Sequence, residues 1–157
     1  MHNKLWTLLG VAVIAGCFDV PLRPDGSPGD EKCPPGAREA MEALNLVPGR
    51  SMTVYVDANQ TEPGPIVVFD GPIETMTWLQ EEKLPERTRL YGRVWTSGPR
   101  VKIRYYKARL PGGKVIPFCA VIADSSGGGL PKTPSNRPGV VAVPSNMGTV
   151  FITGQFK

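Results

Sequence analysis

From Ser51 onward, apolar and polar residues alternate with a period of two, the spacing that turns one face of a β-strand toward a core. In SMTVYVDA, residues 51–58, Met52, Val54 and Val56 alternate with Thr53, Tyr55 and Asp57. TRLYGRVW at 88–95 and RVKIRYY at 100–106 predict two further strands around the turn TSGP. Their apolar positions Val94, Val101, Ile103 and Tyr105 point to the core. IVVF at 66–69 reads as a short buried-type run, and ETMTWLQ at 74–80 is ambiguous. KVIPFCAVIA at 114–123 predicts a strand in which Pro117 marks an edge or a bulge. DSSGGGLPKTPSNRPG at 124–139 is a long irregular loop, and VVAV and TVFIT make the last strands. Only CPPGAREAMEALNLVPG, residues 33–49, shows helical spacing, at Ala37, Ala40, Met41 and Leu44. Two prolines open it and Pro48-Gly49 close it, which places one helix at about 36–46. The pattern predicts a mainly β fold: a small antiparallel barrel or sandwich with one N-terminal helix.

The N-terminus follows a different pattern. Lys4 precedes a short apolar run at 5–15, as in a secretory signal. A bilayer span needs about 20 apolar residues, more than this run supplies. The run ends in Ile14-Ala15-Gly16-Cys17, which resembles the lipobox of bacterial lipoproteins, with Ile14 in place of the commoner leucine. The resemblance implies cleavage before Cys17 and a lipid on its sulfur. Phe18, not aspartate, follows the cysteine, which by the sorting rule of enteric lipoproteins favours the outer membrane. Residues 18–32 hold three prolines, two glycines and six charged side chains, a composition that predicts a flexible tether. The expected organisation is a signal peptide at 1–16, a tether at 17–32 and a single β-rich domain at 33–157. The expected location is the cell envelope.

With Cys17 assigned to lipid, Cys33 and Cys119 remain, and export to an oxidising compartment predicts that they pair. The only histidine, His2, lies in the leader, so histidine-dependent nucleophilic schemes and histidine-ligated zinc are not available to the mature chain. SSGGGLPKTPS lacks the ending of a phosphate-binding loop and no helical pattern follows it. Glu81, Glu82 and Glu86 cluster before a strand, where surface carboxylates commonly mark a solvated turn. No catalytic residue, metal or cofactor is assigned.

Charge is segregated along the chain. The formal net charge is only +4, yet residues 87–114 contain nine Lys or Arg and no Asp or Glu. Strand alternation puts Arg89, Tyr91, Arg93 and Trp95 on one face, and Arg100, Lys102, Arg104 and Tyr106 on one face of the next strand. If the two faces coincide, they form an exposed basic patch interleaved with aromatics that contacts an anionic partner. The alternative is a solvated outer face compensated by acids elsewhere. In an envelope compartment the partner would be anionic lipid, polysaccharide or an acidic protein, and not nucleic acid.

Residues 84–130 also resemble part of the β-barrel domain of TrbI-type scaffold subunits of type IV secretion systems. The matching positions are Pro85, Thr88, Leu90 and Gly92, then Pro111, Gly113, Ile116 and Pro117, then Asp124 and the glycines 127–129. Arg87 stands where that family usually has glycine. The resemblance implies a barrel-like core and, as an alternative role, an accessory subunit of a secretion machine. The leading expectation is a non-enzymatic, membrane-anchored interaction module. A periplasmic hydrolase, or an inhibitor of one, is the other alternative.

Overall fold

A computed structural model describes residues 19–124, 128–134 and 137–157. The leader, the lipobox with Cys17, and Gly127 of the glycine turn lie outside the described residues. The elements in chain order are β1 (Glu31–Lys32), α1 (Ala37–Glu42), β2 (Ser51–Tyr55), β3 (Ile66–Phe69), β4 (Gly71–Thr77), β5 (Arg89–Trp95) and β6 (Lys102–Arg109). They continue with β7 (Val115–Ala123), β8 (Thr133–Pro134), β9 (Val140–Val143), β10 (Met147–Ile152) and β11 (Gln155–Phe156). Six antiparallel strands close a barrel in the order β10-β2-β4-β5-β6-β7, with β7 returning to β10. A three-stranded sheet β3-β9-β8 and a two-stranded pair β1-β11 complete the fold.

The period-two residues supply the core. Met52, Val54 and Val56 are buried, as are Leu90, Val94, Val101, Ile103 and Tyr105. Removing such side chains from water at about 25 cal/mol per Å² is the main drive to close the barrel. Tyr105 carries its hydroxyl into this core and satisfies it there. Thr75 Oγ1 donates to the Val56 carbonyl at 2.7 Å, so the Tyr105 phenol, 2.9 Å away, donates to Thr75. The ring fits because β5 carries Gly92 opposite it. A Cβ on Gly92 would collide with the Arg104 carbonyl oxygen and stand 2.9 Å from Tyr105 Cδ1.

IVVF, read as a buried-type run, is buried at every second residue. Ile66 and Val68 are buried while Val67 and Phe69 are exposed. The small sheet β3-β9-β8 has only one face on the core, which restores an alternating pattern. The ambiguous 74–80 stretch joins β4 as far as Thr77. Pro117 lies in β7 beside a register shift against β6, so the bulge and not the edge accounts for it.

The helix is shorter than the spacing predicts. It stops at Glu42, and Asn45 in the left-handed region (φ 61°) turns the chain away. Its apolar side, Ala37 and Met41, packs on β7. Cys33, just ahead of it, forms the disulfide with Cys119 of β7, the Cα atoms 5.4 Å apart. The expected pairing is therefore present and pins the start of the helix to the barrel.

The largest difference from expectation is at residues 19–32. They are not a free tether but a strap folded onto the barrel wall. A tight loop is tied by Arg23 N–H to the Ser27 carbonyl at 2.8 Å and by Gly29 N–H to the Pro21 carbonyl at 2.7 Å. Ser97, in the β5–β6 turn, donates its hydroxyl to the Gly26 carbonyl at 2.7 Å. Gly26 has φ 83°, and any Cβ there would stand 2.9 Å from the Ser97 carbonyl carbon, so the close approach requires glycine. β1 then pairs with β11 at the far end of the chain. Prolines and glycines that read as disorder instead shape a loop whose polar groups find partners on the barrel.

Candidate functional site

The outer wall of β5 and β6 carries the basic run. The register sets Arg93 opposite Arg104, Trp95 opposite Lys102, Tyr91 opposite Lys107 and Arg89 opposite Arg109. A shift between Tyr91 and Gly92 leaves Tyr106 without an opposite residue on β5. The expected strand faces therefore coincide along most of the hairpin, and the bulge brings Lys107 and Arg109 to the same wall.

Like charges opposite each other repel, and here aromatic rings lie between them. The Trp95 ring has the Arg93 guanidinium carbon 5.5 Å from its centroid and that of Arg104 also at 5.5 Å. Tyr91 is flanked in the same way by Lys107 at 5.2 Å and Arg109 at 5.6 Å. Each ring offers its negative π face to two cations.

Carboxylates from distant segments complete the wall. Arg89 donates to Glu74 at 2.5 Å, and Tyr91 reaches the same oxygen at 3.5 Å. Arg93 meets Asp19 at 3.3 Å. Arg104 donates to Glu31 at 3.3 Å and reaches the main-chain oxygens of Pro28 and Lys157 at 3.4 Å. Tyr106 donates its hydroxyl to the same Glu31 at 2.9 Å. Burial, with the Glu31 hydrogen bond and charge, holds the Tyr106 phenol above its ordinary value, while Arg104 and Arg93 oppose the shift.

Trp95 and Arg104 are thus not part of an exposed patch. They are 5% and 2% exposed, covered by the strap and by Phe156 of β11, whose ring lies 5.2 Å from the Arg104 guanidinium carbon. Arg100 also separates from the group: it binds Asp124 and the Gly129 carbonyl at the end of the barrel. What faces solvent is Arg93, Lys107 and Arg109, with Tyr91 and Arg89 half-buried among them. Lys102 is half-buried; burial and the nearby Arg100, Arg23 and Arg104 hold its ammonium below the ordinary lysine value, against a smaller opposing effect of Asp25.

Sequence reasoning missed Asp19, Glu31 and Glu74 as members of this wall, and Lys107 and Arg109 as its exposed cations. The available signal was complementarity: the strap supplies Asp19, Asp25, Asp30 and Glu31 to match a run of nine cations without acids. Elsewhere, Glu81 and Glu82 are held by Arg50, at 3.8 and 2.6 Å. Among the described residues, no group of three or more His, Cys, Asp or Glu side chains is placed to hold a metal ion. No described helix is long and apolar enough to cross a membrane. No protein-family model matches this chain, and no curated protein matches it either.

Proposed function

We propose that this protein is a lipid-anchored, non-enzymatic interaction module of the bacterial envelope, probed best as an outer-membrane lipoprotein, whose exposed β5–β6 wall rests against anionic headgroups. The observation that supports the reading is the contact between Asp19 and Arg93 at the centre of that wall. Two peptide units separate Cys17 from Asp19, so a lipid on Cys17 leaves the Asp19 Cα within about 7 Å of the anchored Cα. An anchor so close to the wall brings Arg93, Lys107 and Arg109 toward the lipid surface. Each cation near an anionic surface contributes about 1 kcal/mol; Arg93 is paired with Asp19, so the supplement to the acyl chains comes chiefly from Lys107 and Arg109.

Two measurements test the reading. Replacing Cys17 with serine should move the protein from the membrane fraction to the soluble fraction. An unmodified mature N-terminus on the native protein would refute the anchor. The purified chain should bind phosphatidylglycerol vesicles more tightly than phosphatidylcholine vesicles, with an affinity that falls as salt rises. Joint charge reversal at Arg93 and Arg109 should abolish most of that preference; unchanged binding would reduce the wall to a solvated face.

A second role, as an accessory subunit of a secretion machine, is favoured by one observation. The residues that resemble TrbI-type scaffold domains form three adjacent strands, β5, β6 and β7, of a closed barrel. Co-purification in a ring-shaped assembly would support it.

A further inference from the structure

A groove of about 650 Å³ opens between Pro28 of the strap, β6, the end of β7 and residues 153–157. It lies within the range of about 300–1,000 Å³ typical of small-ligand sites. Lys102, Arg104 and Lys157 line it, together with Thr153, Gln155 and the main chain of Gly128 and Gly129, and no lining residue carries an acidic side chain. The carboxylates nearby are engaged elsewhere: Glu31 with Arg104 and Tyr106, Asp25 with Ser27, and Asp124 with Arg100. Arg104 is a fixed side of the groove, its guanidinium paired with Glu31 and held by two main-chain oxygens. Lys102 is different. Among the described residues it makes no ion pair or hydrogen bond, although it is half-buried.

We propose that this groove is an anion site that takes a phosphate group, with Lys102 as its principal contact. The groove stands on its own geometry and does not depend on an anchor at Cys17. A phosphate brings two negative charges and several acceptor oxygens, which match an ammonium, a guanidinium wall and adjacent polar side chains. The phosphate can belong to a soluble phosphorylated molecule or to a lipid headgroup, and two probes separate these sources.

The full-length chain is titrated with inorganic pyrophosphate and, separately, with phosphatidylglycerol vesicles. Pyrophosphate should bind, and Lys102→Glu should weaken it at least tenfold, with Lys102→Met giving an intermediate loss. Arg93→Glu with Arg109→Glu should leave pyrophosphate binding unchanged while weakening vesicle binding. That pattern separates the groove from the membrane-facing wall. If Lys102→Glu weakens only vesicle binding, the phosphate is a lipid headgroup and the groove remains the site. Equal binding of either probe by wild type and both Lys102 variants, with the fold intact by thermal melting, would overturn the proposal. Loss of pyrophosphate binding in the Arg109 variant instead would also overturn it, by placing the anion at the cleft lined by Arg87, Arg89 and Arg109.

Discussion

Glu31→Ala removes the only side-chain carboxylate that meets Arg104 among the described residues, and the structure sets the scale of the damage. The Arg104 side chain is 3% exposed and that of Glu31 26%. After the substitution, the guanidinium keeps two main-chain contacts at 3.4 Å, both longer than the usual 2.7–3.2 Å of an N–H···O bond. Stripping one partner from a fully buried pair costs about 3–5 kcal/mol. Glu31 is partly open to water, which can enter the vacated space, so the expected loss falls below that range, at about 2–3 kcal/mol. Tyr106 loses its acceptor at the same time, but it is only half-buried and can bond to water. For a domain of this size, the change corresponds to a fall in Tm of about 10 °C. Urea unfolding of the single and double variants supplies the test. Arg104→Met together with Glu31→Ala exchanges an ion pair for apolar packing against Trp95 and Phe156, and should recover most of the loss. A Glu31→Ala change of under about 0.5 kcal/mol, or a double variant no more stable than the single, would refute the reasoning.

Three further outcomes follow from the fold. Gly92→Ala should destabilise by about 1–3 kcal/mol or prevent folding, because the new methyl meets the Arg104 carbonyl and the Tyr105 ring; a melting temperature equal to wild type would contradict the packing. Replacing Cys33 and Cys119 with serine releases a constraint spanning 86 residues. The expected loss is about 2–4 kcal/mol by chemical denaturation, and an oxidised and a reduced protein of equal stability would disprove it. Stability should also fall in alkali. Burial raises the Tyr105 and Tyr106 phenols above their ordinary value of 10.0 in the folded state. Their contribution is complete below that pH and declines above it, as the unfolded chain ionises first. Tyr106→Phe should make this alkaline decline shallower, which unfolding midpoints from pH 9 to 11.5 would reveal.

Much of the barrel was legible because its chemistry is local. Alternation at Met52, Val54 and Val56, and at Val94, Ile103 and Tyr105, needs no knowledge of the partner strand. Pro117 announced an irregular strand by its missing N–H. Arg87 is instructive in another way: it occupies φ 60°, in the left-handed region that favours glycine, at the position where the resembled family usually has one. The fate of the basic face was not legible, since it was decided by residues far away in sequence. Asp19 and Glu31 lie 74 and 73 residues from their arginines. The same strap composition that discourages a hydrophobic core permits the tight loop at 21–29, and only the barrel wall beneath it selects that outcome. The bulge at Tyr106 was equally hidden, because a register shift belongs to a pair of strands and not to either one.

The order of strands also constrains when this chain can fold. The barrel's first strand, β2, closes back onto β7 through β10, and the strap's β1 pairs with β11, far away in sequence. A nascent chain that has released everything up to β7 still has an open sheet and an unpaired β1. Closure waits for β10, and pairings that distant in sequence form slowly. Until β10 is in place, the edges of β2 and β7 both stay open and the sheet cannot become a barrel.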